Sequence, residues 1–383
     1  MRFKVARVGD LVELCRDHVA VDEAKTYRQI GIYSWGKGII RREPVPGSEL
    51  SKLRYFSFPP CALLLSNIQA WEGAVAVTSS DEAGFLASNR FLPYLPIDEN
   101  SVDVGYLRHY FLSELGLTQI RRASPGTQVR NRTLGIKLFE DLQIPLPELD
   151  EQRRIAAHLD ALESASTQVG TANKASEVGM RSLTQQLIGS QGHAPRVALT
   201  NVLRLDREWF EPEVGESYDP VGVRGFGRGL IRYPPTPRAE LPKLRFFRLH
   251  ADRLVVSNIK AWEGAVAVTT QSDANRIGSN RFLMFESDDA KADLSYILGY
   301  LLSEEGLSQL QAGSPGSADR NRTLSISNFE AIEVPLPSIE AQRDVVRLLS
   351  ARDRLAELVA EREKLAQALP ASARNEILSL IHI

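Results

Sequence analysis

Cysteine is nearly missing from this sequence, which holds only Cys15 and Cys61. A disulfide framework or a cysteine zinc site needs more than that. No apolar run approaches the roughly 18 residues of a bilayer span, and residues 1–10 carry no hydrophobic signal core. A soluble cytoplasmic protein without membrane association is expected. Charge of one sign is missing too: 46 Lys and Arg stand against 48 Asp and Glu, a net charge of −2. Indiscriminate coating of nucleic acid requires a large positive excess, because that affinity comes from phosphate neutralisation. With 43% hydrophobic and 25% charged residues, the composition is otherwise that of globular proteins.

What the chain does contain, it contains twice. Residues 66–78, Ser-Asn-Ile-Gln-Ala-Trp-Glu-Gly-Ala-Val-Ala-Val-Thr, recur as residues 257–269 with 12 of 13 positions identical, an offset of 191. The same offset carries Lys52-Leu53-Arg54 to Lys243-Leu244-Arg245 and Ser88-Asn89-Arg90-Phe91 to Ser279-Asn280-Arg281-Phe282. An offset of 190 then relates Arg130-Asn131-Arg132-Thr133-Leu134 to Arg320-Asn321-Arg322-Thr323-Leu324, Pro145-Leu146-Pro147 to Pro335-Leu336-Pro337, and Gln152-Arg153 to Gln342-Arg343. Solenoid repeats are only about 20 to 50 residues long. Each copy here is the size of a domain, so the chain reads as two tandem domains suited to two similar binding events.

Within a copy, Ala62-Leu63-Leu64-Leu65 and Ala74-Val75-Ala76-Val77, like Leu254-Val255-Val256 and Ala265-Val266-Ala267-Val268, have the length and content of buried strands. Residues 106–117 and 296–307 read as helices, with Gly116 and Gly306 as stop signals. An α+β globule with a small antiparallel sheet follows. Residues 148–189 and 338–369 hold no proline and many helix formers, so each copy ends in a long helix. In the second, Val345, Leu348, Leu355, Leu358, Leu365 and Leu369 form a three-four apolar stripe, as in a coiled-coil seam, with Pro370 ending or kinking the helix. The first stripe is weaker. The expected domains are residues 1–147, a helix over 148–190, residues 191–337 and a helix over 338–383.

Chemistry leaves no repeated trace. No histidine aligns between the copies, nor does either cysteine, and the repeated acids Glu72/Glu263, Glu114/Glu304 and Glu140/Glu330 stand in separate elements. A catalytic Mg²⁺ needs clustered carboxylates. No catalytic residue, metal site or bound cofactor is expected. The loop 225–229, Gly-Phe-Gly-Arg-Gly, lacks the strand and the downstream acid of a dinucleotide fingerprint.

Basic segments of a neutral chain suit local DNA contact as well as a solvated face. Both copies carry an aromatic-Gly-basic-Gly loop followed by an apolar pair and arginine: Trp35, Lys37 and Arg41 in one, Phe226, Arg228 and Arg232 in the other. Such a loop fits phosphate approach and guanine contact, or equally an ordinary hairpin turn. Arg130, Asn131 and Arg132, and their copies Arg320, Asn321 and Arg322, offer phosphate anchors. Arg90 and Arg281 join them. Trp71 and Trp262 fit the core better than a stacking surface. Gln69 and Lys260 differ where all around them is identical, as a specificity position would.

The order of parts resembles the DNA specificity (S) subunit of type I restriction-modification systems. The diagnostic stretches are residues 138–155, Leu-Phe-Glu-Asp-Leu-Gln-Ile-Pro-Leu-Pro-Glu-Leu-Asp-Glu-Gln-Arg-Arg-Ile, and the weaker residues 329–343, Phe-Glu-Ala-Ile-Glu-Val-Pro-Leu-Pro-Ser-Ile-Glu-Ala-Gln-Arg. The resemblance implies two target recognition domains reading a split site in double-stranded DNA, and long helices forming an antiparallel coiled coil that docks two methyltransferase subunits and, through them, restriction subunits. It implies a non-catalytic chain, with S-adenosylmethionine, ATP and Mg²⁺ on the partners. A protein-binding scaffold, a degenerate enzyme, and the specificity subunit of a modification-only or two-component system are the rival readings. Because the two copies are close relatives, two similar, inverted half-sites are expected.

Overall fold

The computed structural model describes residues 3–126, 132–316 and 322–382, apart from the side chains of Arg181 and His382. The chain divides into unit 1, residues 1–172 with 361–383, and unit 2, residues 173–360. The helices are α1 (Val104–Leu112), α2 (Glu114–Arg122), α3 (Ile136–Glu140), α4 (Leu149–Gly189), α5 (Leu294–Leu301), α6 (Glu304–Ala312), α7 (Ile326–Glu330) and α8 (Ile339–His382). Each unit therefore owns one globular copy, the first part of the long helix that follows it, and the last part of the other long helix. The class is α+β, with one globular domain repeated and two long helices.

The core of unit 1 lies between α1 and a four-stranded antiparallel sheet ordered Val12–Leu14, Phe91–Pro96, Leu63–Ser66, Val75–Val77. Unit 2 repeats it with Leu203–Leu205, Phe282–Ser287, Leu254–Ser257 and Val266–Val268. The apolar runs seen in the sequence are these central strands, and Leu63, Leu64 and Leu65 are fully buried. A second sheet in unit 1 departs from a purely antiparallel pattern, because Phe85–Ser88 pairs parallel with Thr26–Ile32.

The Gln-Arg signature is a clamp. Gln152 is fully buried; its Oε1 accepts the Asp103 N–H at 2.9 Å, and its Nε2 donates to the carbonyls of Pro147 at 2.8 Å and Ser101 at 3.2 Å. Gln342 does the same with Asp293, Pro337 and Lys291. Tyr106 and Tyr296 hydroxyls donate to the carbonyls of Pro145 and Pro335. These bonds fix the start of each long helix to the globular copy that precedes it.

Four expectations are corrected. The helix expected over residues 106–117 breaks at Ser113, whose hydroxyl caps α2. Gly116 lies inside α2 and is no stop signal: a Cβ there would fall 2.0 Å from the Tyr110 carbonyl oxygen, so glycine permits the tight corner between α1 and α2. Pro370 does not end α8, which runs to His382. The leucine stripe is not the seam: Leu348, Leu355, Leu358, Leu365 and Leu369 are each at least 51% exposed. The less exposed face carries Val345, Leu349, Ala356, Val359, Ala366 and Ala373, because small side chains let helices approach closely. In unit 2, Asn173 Nδ2 donates to the Val359 carbonyl at 3.1 Å and Arg352 reaches Thr184 Oγ1. The two helix segments there run antiparallel.

In unit 1, where this face carries Ala366 and Ala373, charge is added to the packing. His109 on α1 is fully buried and Arg374 on α8 is 8% exposed. His109 Nε2 lies 2.9 Å from Asp160 Oδ1, Arg108 donates to Asp160 at 3.1 Å and to Glu163, and Arg374 donates to the other Glu163 oxygen. His109, Asp160 and Glu163 are spaced as metal ligands could be, but two guanidiniums already occupy the carboxylates. Unit 2 has Gly299 at the place of His109, where a Cβ would meet the Leu349 methyl at 2.7 Å. No helix among the described residues is long and apolar enough to cross a membrane.

Candidate nucleic-acid interface

In unit 1, strands Thr26–Ile32 and Ile39–Arg41 form a hairpin whose tip is the aromatic-Gly-basic-Gly loop. Trp35, Gly36 and Gly38 have φ of 59°, 67° and 88°. A left-handed conformation costs a tryptophan about 1–2 kcal/mol. It is held because the N–H groups of Trp35 and Gly36 donate, each at 2.9 Å, to the carbonyls of Glu72 and Gly73 on the Ala-Trp-Glu-Gly turn. The result is an indole 71% exposed, with Lys37 Nζ 5.4 Å from its centroid. Unit 2 repeats the device: Phe226 has φ of 60°, its N–H and that of Gly227 donate to Glu263 and Gly264, its ring is 72% exposed, and Arg228 lies 5.5 Å from the centroid. Both units thus hold an aromatic residue at positive φ and expose its ring at the same place in the loop.

Main-chain bonds lace further repeated motifs onto the same turn. The Asn67 N–H donates to the Arg90 carbonyl at 2.8 Å, the Leu134 N–H to the Asn67 carbonyl at 2.7 Å, and the Asn89 N–H to the Arg54 carbonyl at 2.9 Å. Unit 2 has the same three bonds from Asn258 to Arg281, Leu324 to Asn258, and Asn280 to Arg245. Arg132 lies over Trp71 at 5.3 Å, and Arg322 over Trp262 at 5.0 Å. These tryptophans are half-buried on one-turn helices rather than core residues between strands, each donating its Nε1–H to the carbonyl of Ile68 or Ile259. Each unit thus gathers the loop tip, the Trp turn, the Ser-Asn-Arg turn and the end of the Arg-Asn-Arg-Thr-Leu loop into one tract. Arg130, Asn131, Arg320 and Asn321 lie outside the described residues.

The tract carries unmet polar atoms. Asn67 Oδ1, Asn258 Oδ1 and Arg322 Nε are buried without a hydrogen-bond partner. Leaving such an atom unmade costs about 1–3 kcal/mol, and the asparagine oxygen is left over at the same place in both units. The two asparagines were visible in the repeat but were not singled out from the sequence, nor were Arg54 and Arg245.

Other candidates are tied within the protein. Arg41 pairs with Glu82, and with Asp81 at 3.2 Å; Arg232 pairs with Asp273 at 2.7 Å. Burial pushes the Glu82 carboxyl up, but hydrogen bonds from Ser79 and Arg41 outweigh it and hold it below the usual carboxylate range. Asp273 is likewise held low, by Arg232 and Thr270 against burial. Lys260 pairs with Glu263 at 3.0 Å, whereas in unit 1 Ser34 Oγ donates to Glu72 at 3.0 Å and leaves the exposed Gln69 unengaged by that acid. Gly225 takes the place of Ser34, so Gln69/Lys260 and Ser34/Gly225 change together. Lys37, Arg90, Arg228 and Arg281 are exposed and form no ion pair with a described residue.

Residues 2–177 match the family model for the type I restriction modification DNA specificity domain. The chain also shares its fold with the HsdS subunit from Thermoanaerobacter tengcongensis, at a TM-score of 0.61 and 17% identity over 99% of this chain and 96% of that one. A structure described as the basis of complex assembly and conformational transition of the type I R-M system gives a TM-score of 0.67 at 17% identity, covering 98% and 97%. The type I restriction-modification S subunit from M. genitalium gives 0.51 at 12% identity, covering 98% and 96%. Residues 2–177 thus carry a type I restriction-modification DNA specificity domain, the second half of the chain repeats its motifs, and the chain as a whole shares the fold of the HsdS subunit.

Proposed function

We propose that this chain reads a bipartite site in double-stranded DNA, each unit presenting its laced tract to one half-site, and that the two halves are similar, inverted and separated by a non-specific spacer. It recruits two methyltransferase subunits and, through them, restriction subunits. S-adenosylmethionine, ATP and Mg²⁺ act on those partners, and the complex works in the cytoplasm. One observation carries the DNA reading: the tract occurs twice, each time with an exposed aromatic ring (Trp35 or Phe226), two exposed cations free of ion pairs (Lys37 and Arg90, or Arg228 and Arg281) and an unmet asparagine oxygen at the same place. Lysine or arginine can read guanine in the major groove, and the free cations supply phosphate contacts. The exposed leucines of α8 support partner docking, since exposed apolar side chains in number mark interaction sites.

The experiment replaces Lys37, Arg90, Arg228 and Arg281 with alanine. Arg41 and Arg232 are avoided, because their loss strands buried carboxylates and confounds binding with folding. Each lost phosphate contact should lower the slope of log affinity against log salt by about 0.9, with the thermal unfolding temperature and methyltransferase co-purification unchanged. Wild-type affinity and slope in the variant would sink the reading.

A further inference from the structure

The two units diverge sharply at one place beside the tract. In unit 2, strand Trp209–Phe210 pairs antiparallel with Phe246–Arg248. Arg207 lies 5.0 Å and Arg245 4.4 Å from the Trp209 ring centroid, and Arg248 lies 4.5 Å from that of Phe210. None of the three arginines forms an ion pair with a described residue; the nearby acid Asp206 is taken by Arg253 and His250. Arg207 Nε is buried without a partner. Burial, and then the charge of Arg245, push the Arg207 pKa down, the signature of a cation crowded by a like charge and lacking an anion.

The offset of 191 puts Arg16, His18, Val19, Arg54 and Ser57 at the equivalent places in unit 1. There Arg16 turns its donors inward, to the carbonyls of Asn89 and Phe91, each at 3.2 Å. Its guanidinium lies 5.2 Å from the Phe56 ring centroid, and His18 meets that same ring edge-on. Two aromatic shelves and one of the arginines are therefore particular to unit 2, in a chain whose central motif is otherwise almost unchanged. The Asn280 N–H bond to the Arg245 carbonyl, at 2.9 Å, joins this cluster to the Arg281 turn and so to the tract.

Guanidinium groups held over aromatic faces keep their N–H edges free and lose little freedom on binding. Their planar fork matches phosphate, and three such groups without a carboxylate repel one another until an anion arrives. We propose that Arg207, Arg245 and Arg248, seated on Trp209 and Phe210, form a phosphate-binding platform through which unit 2 alone grips the DNA backbone beside its half-site. This rests on the DNA-reading function proposed above, and the following measurement separates the two.

The full chain, with its co-purifying partners, is titrated with a fluorescent duplex of random sequence about 40 base pairs long, between about 50 and 200 mM salt. The triple variant Arg207→Gln, Arg245→Gln, Arg248→Gln should lose at least about tenfold in affinity at the lowest salt, with a slope smaller by about 2 to 3. The all-lysine triple variant keeps the charge and guards against misfolding; its slope should stay near wild type while affinity falls severalfold, because the fork is lost. Inorganic phosphate at matched ionic strength should displace the duplex no better than chloride. Preferential displacement would identify a free-anion pocket and overturn the platform. Unchanged affinity and slope in the glutamine variant, beside a wild type that binds, would overturn it while leaving the DNA reading intact, and loss of a partner subunit in that same variant would assign the cluster to an acidic protein surface. A wild type with no salt-dependent DNA binding would overturn both.

Discussion

Gly36 and Gly38 sit two residues apart in the same strained loop, yet their substitutions should behave differently. A Cβ on Gly36 would fall 2.8 Å from a Leu112 methyl, whereas a Cβ on Gly38 would meet nothing within 4 Å. Both positions have positive φ, so each alanine carries backbone strain of about 1 kcal/mol. Gly36→Ala adds the displacement of a core leucine and should cost about 2–3 kcal/mol in all. Thermal unfolding of the two variants checks this, and equal shifts would show that the loop is not seated on α1. The glycines were legible in the sequence as a motif. Their separate reasons were not, because spacing cannot report which neighbour closes over a backbone. Trp209 and Arg248 were illegible for the opposite reason: comparing two copies brings out what they share, and these residues have no match.

At the scale of elements, α1, α4 and α8 meet in unit 1 through the network of His109, Arg108, Asp160, Glu163 and Arg374. Burial lowers the His109 pKa below its ordinary 6.5, more than the Asp160 hydrogen bond raises it. The unfolded chain therefore binds the extra proton, and stability is fully present above about 6.5 and declines as the pH falls toward the folded value. His109→Gln should flatten that dependence, read as amide exchange of residues 104–122 at pH 7.5 and 5.5. Removing a buried ion-pair partner usually costs about 3–5 kcal/mol. Arg374→Met should cost nearer about 2, since Arg108 still meets Glu163 and Glu163 is about a quarter exposed. Exchange in residues 104–122 that is indifferent to both substitutions would show that the network holds nothing together. The long helices themselves were plain from the sequence, but their facing was not. A three-four stripe fits the leucines as well as the alanines one position over, and only close approach selects the smaller set.

For the whole molecule, two near-equal tracts in one chain predict two near-equal half-sites, and the structure narrows where they should differ. Both units place an exposed ring and two free cations alike, with Trp35 and Lys37 in one answering to Phe226 and Arg228 in the other, so most recognised positions should match between halves. Gln69 and Lys260 do not match. Glutamine offers a donor and an acceptor, suited to adenine, while lysine offers donors alone, suited to guanine O6 and N7. Lys260 is also drawn toward Glu263, a pairing that Ser34 pre-empts at Glu72 in unit 1. Gln69→Lys alone therefore leaves the new lysine without its partner, and the double change Ser34→Gly with Gln69→Lys is the one that converts unit 1 toward unit 2. Long-read mapping of adenine methylation in cells carrying the system should give a gapped motif with similar, inverted halves differing at one or two positions. The double variant should render the motif more symmetric, by discriminating about 1–3 kcal/mol at a single base pair. Two unrelated halves would refute the correspondence between repeated tract and repeated site, and a motif unmoved by the double variant would take the reading role away from Gln69 and Lys260.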